Sequence, residues 1–187
     1  MRFPGLHTVE TVAWRALITR AQADARVAFG PEVESYLIQM LLGYFERPDK
    51  LHSTDPDLLV ERLFETGEGE SQDLRTIGDH CLLLTGLLPE QAVQRQLPLS
   101  YFVRIGQNAY HEYALQNNEP LFAHLRAEFV SIMDVLHTVR ESGSGARCLD
   151  PLSAYQLWSE TGSRHAFHVL LGAARGLPVA GATTCIH

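Results

Sequence analysis

The sequence predicts an all-α fold, arranged as a single-domain helical bundle of about seven helices that spans residues 1–187. Three observations lead to this prediction. Apolar residues recur at three-and-four spacing along nearly the whole chain, which is the period of a helix that buries one face. Glycine, proline and capping residues separate these periodic segments. No alternating apolar and polar run is long enough to indicate a strand.

The first four predicted helices occupy the N-terminal half of the chain. The first runs from about Thr8 to Ala25, and Pro31 opens the second, EVESYLIQMLLGYF, because proline suits the first helical turn. The third begins at TDPDLLVERLF and ends at the acidic loop GEGES. The fourth, at about 72–88, is apolar nearly all round its circumference. Such a helix is normally enclosed by others, so we expect it to lie at the centre of the bundle.

Three further helices are predicted in the C-terminal half. The fifth starts after Ser100, and the sixth runs from Glu119 to Arg140 as one continuous helix. The Gly- and Ser-rich loop ESGSGAR follows it. The seventh, from Pro151 to Gly176, is expected to be one helix in two halves, broken at Gly162. The tail at about 177–187 is expected to be irregular.

Charge and composition limit the classes of partner. The chain has 22 acidic and 15 basic residues and a formal net charge of −7, so it lacks the positive charge that pairs with phosphates, and nucleic acid is not expected as a partner. No run of 18 or more apolar residues is present, and the N-terminus lacks the apolar stretch of a signal peptide. We therefore expect a cytoplasmic protein that does not bind membranes. Lys50 is the single lysine, which disfavours Schiff-base and P-loop chemistry.

Neither a disulfide framework nor a metal or cofactor site is expected. Cys81, Cys148 and Cys185 form an odd set without CxxC spacing, which argues against disulfides and a zinc knuckle. No E-x-x-H unit of the kind used by di-iron bundles occurs. His124 and Glu128 are four residues apart on one helix, and the pattern favours a surface pair over a metal site.

Two more groups of polar residues are predicted to lie at the surface or to be too few for a site. Asp134 and His137 are three residues apart on the sixth predicted helix and are expected to be solvated. His165 and His168 are also three apart, and two histidines are too few to hold a metal by themselves.

Asp79 and His80 are the polar residues most in need of explanation, because they lie within the apolar fourth helix. Burying an ionised group costs roughly several kcal/mol unless an opposite charge or hydrogen-bonding partner compensates for the lost water. We expect Asp79 to be enclosed and to accept hydrogen bonds from Tyr110 or an arginine, with Arg164 as the first choice. This pair then acts as an internal polar fastening that fixes helix register, and a ligand-binding role is the alternative.

Glu112, on the fifth helix, lies at the border of the apolar stripe beside Tyr101 and Ile105. It joins the candidate internal polar or ligand site, whose residues are Asp79, His80, Tyr110, Glu112 and Arg164. A metal held by Asp79, His80, Glu112 and His124 is a weaker alternative.

A candidate anion site is predicted at TGSRHAFH. A fresh helix start at Ser163 leaves several backbone N–H groups without partners, and Arg164 adds a cation beside them, which suits a phosphate or a carboxylate. The alternative is a helix cap whose arginine forms an ion pair with a neighbour.

Four segments, GDHCLLLTGLLPE, YFVRIGQNAY, FVSIMDVL and AYQLWSETGSR, resemble in order and spacing the pattern of a family of uncharacterised bacterial all-helical proteins. The resemblance covers about Gly78 to Arg164, and Ala154 departs from it where the family has a leucine. It implies a helical fold and a bacterial cytosolic setting, and it implies no activity. Its motif positions are Gly78, Asp79, Tyr101, Gly106, Tyr110, Asp134, Trp158 and Arg164.

Two functions from different classes remain. The first is a non-catalytic protein that uses a contiguous exposed apolar surface to bind a protein partner or a second copy of itself, as a homodimer. The second is a pocket for a small anionic or apolar ligand, for binding or catalysis, lined by Asp79, His80 and Arg164. The first is the expected function, and no catalytic residue is assigned.

Overall fold

The structure, a computed structural model, describes residues 4–46, 71–94, 97–145 and 148–175. These ranges contain helices and no strand, so the predicted all-α bundle is confirmed. The described helices are α1 (Pro4–Ala25), α2 (Pro31–Glu46), α3 (Ser71–Gly86), α4 (Pro89–Gln94), α5 (Leu99–Asn117), α6 (Pro120–Ala127), α7 (Phe129–Ser144), α8 (Pro151–Thr161) and α9 (Arg164–Arg175). The third predicted helix, the GEGES loop, Lys50, Cys185 and the tail at 177–187 lie outside the described residues.

The described part differs from the predicted helices in two places. The sixth predicted helix is two helices, α6 and α7, that meet at Glu128, whose backbone lies at φ −96° and ψ 6°. The apolar pattern continues across this residue, so the interruption of the helix leaves no trace in the periodicity. The fourth predicted helix ends at Gly86, and Pro89 opens the short helix α4.

The predicted break in the seventh helix is confirmed. Gly162 ends α8 in the left-handed region, at φ 74°, where glycine is tolerated without a steric cost. Ser163 then caps α9, since its Oγ accepts a hydrogen bond from the Ala166 N–H at 3.1 Å. The two halves, α8 and α9, therefore form a helical hairpin and not one straight helix.

Helix α3 lies in the core, as predicted for the apolar fourth helix. Its residues Ile77, Cys81, Leu82 and Leu84 are all buried. It packs along α5 on one side and against α7 on another. The α8–α9 hairpin packs mainly on α5 and α7. Among the described residues, no helix combines the length and the apolarity needed to cross a lipid bilayer.

Glycine allows the central helices to approach closely. A Cβ at Gly106 of α5 would lie 2.6 Å from the Phe129 ring and 2.9 Å from the Cβ of Cys81 on α3. A Cβ at Gly86 of α3 would lie 2.7 Å from the Cβ of Leu136 on α7. The small residues Gly86 and Gly106 therefore mark close helix contacts. Interiors are packed as densely as crystals, so there is no free volume to absorb an added methyl group.

We expect Gly106→Ala to lower the free energy of unfolding by about 1–3 kcal/mol, because the added methyl overpacks the contact between α3, α5 and α7. The matched control is Gly43→Ala in α2, where an added Cβ meets nothing within 4 Å. This change should raise stability by up to about 1 kcal/mol, through helix propensity alone. Urea unfolding of both variants measures the difference. Equal effects of the two substitutions would contradict the close packing.

Candidate functional site

Asp79 of α3 is the centre of a polar network between three helices. Its Oδ1 accepts hydrogen bonds from the hydroxyl groups of Tyr36 on α2, at 2.6 Å, and Tyr110 on α5, at 2.8 Å. The guanidinium of Arg75 on α3 lies 3.9 Å from Oδ2 and also donates to the Tyr36 hydroxyl at 3.1 Å. The Asp79 side chain is 19% exposed. Its burial raises its pKa to about 6, against the lowering effect of these hydrogen bonds and of Arg75.

Asp79 is partly buried and accepts the hydrogen bond from Tyr110 that was one of the two predicted alternatives, whereas the choice of Arg164 as its cation is wrong. Arg75 takes that position, because residues i and i+4 lie one above the other on a helix. Tyr36 was not among the predicted partners. It is separated from Asp79 by 43 residues, so sequence spacing carries no signal for this contact.

The other residues of the predicted internal site are not gathered around Asp79. His80 is half-buried, and burial lowers its pKa. Glu112 is exposed on α5, although the helical wheel placed it at the border of the apolar stripe. His124, named with these residues as a possible metal ligand, is exposed on α6. The structure therefore contains a fastening at Asp79, but not a pocket built from this set.

Asp134 of α7 holds the N-terminus of α9. Its Oδ1 accepts a hydrogen bond from the Ser163 hydroxyl at 2.5 Å, and its Oδ2 accepts the N–H groups of Arg164, at 2.8 Å, and His165, at 3.2 Å. Asp134 is 5% exposed, so the prediction that it is solvated is wrong. Burial raises its pKa, and the three donors oppose that rise. The predicted anion site at Ser163 and Arg164 thus exists as a helix N-terminus, but the protein's own carboxylate occupies it.

Four residues with metal-ligating side chains lie together beside this cap. The Oε1 of Glu141 on α7 accepts a hydrogen bond from the Cys148 N–H at 3.0 Å. The same oxygen lies 3.4 Å from the Cys148 sulfur and 3.2 Å from the His165 Nε2. His137, one turn before Glu141, is fully buried, and its ring centroid is 5.0 Å from that of His165. Its predicted solvation is therefore wrong. In the described ranges, His137, Cys148 and His165 are the one group of three such donors within 4.8 Å of one another.

The sequence did not indicate this group, because its members come from α7, from the segment before α8 and from α9. His137 and Glu141, four residues apart, were the available signal, since they share a helix face. The inward direction of that face is decided by the packing of α7 against α1 and α3.

A cavity of about 450 Å³ lies next to this group, between α1, α7 and the α8–α9 hairpin. Its ionisable lining residues are Asp24 of α1, Asp134 and Glu141 of α7, and Arg164, His165 and His168 of α9. Asp79 and His80 do not line it. Asp134 and Glu141 already accept hydrogen bonds from their own chain, so Arg164, His168 and Asp24 remain to meet a molecule in the cavity.

The outer face of the α8–α9 hairpin carries exposed aromatic and apolar side chains. We call this the hairpin surface, defined by Tyr155, Trp158, Phe167 and Leu171, whose exposed fractions are 56%, 37%, 39% and 41%. Ring centroids of Tyr155 and Trp158 are 6.2 Å apart, and those of Trp158 and Phe167 are 5.4 Å apart. The rings therefore form one contiguous surface across the two helices.

Comparison of the chain with protein-family models, with curated proteins and with solved structures gave no match. The function of these sites must therefore be argued from their geometry.

We expect the unfolding free energy of Asp79→Asn to increase relative to that of the native protein as pH rises from about 4 to about 7. The change in this difference should be on the order of 1 kcal/mol. The folded-state pKa of Asp79, about 6, is above the model value of 3.8. Its contribution is therefore fully present below the unfolded pKa and is lost as pH rises through the folded pKa. Asparagine stays neutral throughout.

The control is Asp150→Asn, at the N-cap of α8, where hydrogen bonds from Ser153 lower the pKa of the carboxyl. Its contribution is present above the unfolded pKa and is lost on acidification, so the pH trend has the opposite sign. Urea unfolding from about pH 2.5 to about pH 7 measures both, because the Asp79 effect lies mainly above about pH 4 and the Asp150 effect mainly below it. A trend of the same sign for the two aspartates would contradict the burial of Asp79.

Proposed function

We propose that this protein acts through association with a second copy of itself in the bacterial cytosol, and not as a catalyst. The observation that carries the proposal is the hairpin surface, on which Tyr155, Trp158, Phe167 and Leu171 expose contiguous apolar area. Exposed patches of this kind mark interaction sites in soluble proteins. The bacterial and cytosolic setting is supported by the family resemblance described above.

Trp158 is suited to be the centre of such an interface. It lies between Tyr155 and Phe167, and tryptophan and tyrosine are enriched among the residues that contribute most binding energy. A second copy of the chain is the favoured partner, because in a two-fold symmetric dimer the same surface of each copy packs against the other and no second surface is needed. Two hairpins packed face to face would bury both copies of Trp158 and Phe167 in a four-helix arrangement.

We expect the native chain to form a dimer whose dissociation constant rises at least about tenfold in Trp158→Ser, since loss of a central interface residue costs about 2 kcal/mol or more. Sedimentation equilibrium at several protein concentrations measures this constant. The matched control is Leu115→Ser on α5, which removes another exposed apolar side chain, 65% exposed, outside the hairpin surface. A native chain that is monomeric at every concentration, or a dimer that Leu115→Ser weakens equally, would contradict the proposal.

A second function, binding of a small anionic ligand, is favoured by the cavity between α1, α7 and α9. Arg164 lines this cavity, and its side chain is exposed. His168 lines the same cavity from the next turn of α9. Convergent polar groups in a concave site are the usual setting of a ligand pocket, and arginine recognises carboxylates and phosphates through paired hydrogen bonds. This proposal places the ligand near Arg164 and away from Asp79.

Binding of inorganic phosphate and of succinate should shift the backbone NMR signals of residues 161–168, and Arg164→Met should weaken the affinity at least about tenfold, as expected for a lost charge-assisted contact. Arg104→Met, which removes an exposed arginine of α5, is the control and should leave the affinity unchanged. Shifts spread evenly over exposed arginines would contradict a site at the cavity.

A further inference from the structure

His137 has a ring nitrogen that the protein leaves without a partner. Its Nε2 lies 2.7 Å from the Thr85 carbonyl oxygen, so Nε2 carries the proton and donates it. Its Nδ1 is buried and has no hydrogen-bond partner. Burial lowers the pKa of His137 to about 3, so the ring is neutral and Nδ1 presents a lone pair. A buried acceptor left without a partner costs about 1–3 kcal/mol, which calls for an explanation.

The Thr85 contact has the form found in metal sites. A histidine that ligates a metal almost always donates its other ring N–H to a carboxylate, a backbone carbonyl or a water molecule, and this bond fixes the tautomer and the ring orientation. His137 is held in this way by α3, with the nitrogen opposite the bonded one free. The ligand atoms of His137, Cys148 and His165 lie within 4.8 Å of one another.

The distances among the neighbouring donors match the edges of a tetrahedral site. With metal bonds of 2.0–2.3 Å, two ligand atoms of a tetrahedral zinc site lie about 3.3–3.6 Å apart. Glu141 Oε1 is 3.2 Å from His165 Nε2 and 3.4 Å from the Cys148 sulfur, and Cys148 and His165 are 4.0 Å apart. These three edges lie within about an ångström of the tetrahedral values. The His137 ligand atom lies within 4.8 Å of those of Cys148 and His165, so closure of the group around an ion needs His137 to approach them by up to about 1.5 Å.

We propose that His137, Glu141, Cys148 and His165 bind one zinc ion. Two imidazoles, a thiolate and a carboxylate are all ligand types of zinc, and four of them complete its tetrahedral coordination. The Asp134 cap fixes the backbone of His165, so part of the site is ordered before the ion binds. This inference does not depend on self-association or on a ligand in the cavity.

The metal-free state keeps a proton that the ion displaces. Burial and the Glu141 carboxylate raise the pKa of the Cys148 thiol to about 12, so the thiol is protonated and donates to Glu141. Binding requires the thiolate, and therefore releases this proton to the solvent. Glu141 and His165 also line the cavity, which gives the ion an entry path and the proton an exit.

The alternative to a metal site is a hydrogen-bonded group in which Glu141 joins Cys148 and His165 for structure alone. That explanation accounts for the contacts of Glu141, but it leaves the buried Nδ1 of His137 without a function. The sequence contains nine histidines, so weak binding at exposed imidazoles is a second alternative. Thiolate coordination distinguishes the proposed site from both.

The test uses the full chain, stripped of metal and titrated with Zn²⁺ by calorimetry and with Co²⁺ by absorption spectroscopy. We expect one Zn²⁺ per chain, and a Co²⁺ spectrum with the thiolate charge-transfer band and the intense visible bands of tetrahedral coordination. Cys148→Ser should abolish the charge-transfer band. Cys148→Ser and His165→Gln should each lower the Zn²⁺ affinity by about 100-fold or more. Loss of a residue that only hydrogen-bonds to a ligand already costs up to about 100-fold, so loss of a ligand should cost at least as much.

Two matched controls test whether other cysteines and histidines of the chain contribute to Zn²⁺ binding. Cys81→Ala alters a thiol buried in the core, and His168→Gln alters a cavity histidine one turn after His165. Both should retain the native Zn²⁺ affinity and the Co²⁺ spectrum. Circular dichroism of each metal-free variant verifies that it is folded, and Zn²⁺ should raise the melting temperature of the native chain but not of Cys148→Ser.

Absence of stoichiometric Zn²⁺ binding by the native chain would overturn the proposal. A Co²⁺ spectrum without the thiolate band, or equal affinities of Cys148→Ser and the native chain, would also overturn it and would assign the binding to exposed histidines. The titration measures Zn²⁺ bound per chain, whether the protein is a monomer or a dimer. A negative result would therefore contradict the zinc site without bearing on self-association.

Discussion

The buried carboxylate of Asp134 is the interaction on which the C-terminal half of this structure depends. One carboxylate on α7 accepts the Ser163 hydroxyl and two N–H groups of the first turn of α9. Because the start of a helix carries a partial positive charge and unpaired donors, an acidic group there satisfies both at once. The contact fixes where α9 begins on α7, and therefore where His165 lies relative to His137 and Glu141. The cavity and the hairpin surface follow from the same placement.

Asp79 and Asp134 show two ways to bury a carboxylate in one small bundle. Asp79 is bound by side chains from other helices, the hydroxyl groups of Tyr36 and Tyr110, with Arg75 at a longer distance. Asp134 is bound largely by backbone N–H groups, which are rigid and cost no side-chain entropy to position. The first arrangement fastens α2, α3 and α5 together, and the second fastens α7 to α9. Each holds a different half of the bundle in register.

Self-association and zinc binding, as proposed, use different sides of the α8–α9 hairpin. Its inner side brings His165 to α7, where thiol, imidazole and carboxylate donors converge beside the cavity. Its outer side exposes Tyr155, Trp158 and Phe167. A metal at the inner side would stabilise the hairpin against α7, since an ion that binds the folded state alone adds to folding free energy. A stable hairpin is in turn what a self-complementary outer surface requires.

The sequence by itself determined the helical class, the central position of the apolar helix, the break at Gly162 and the cap at Ser163, and it named Tyr110 as one of the candidate partners of Asp79. These follow from local rules, because apolar period, capping chemistry and the cost of a buried charge are all readable along the chain. Only the tertiary structure decided that Asp134 and His137 point inward, that Arg75 and Tyr36 take the place expected for Arg164, and that Cys148 meets His137 and His165. A helix face becomes interior or exterior according to what packs against it. That packing joins residues far apart in the chain, for which spacing carries no information.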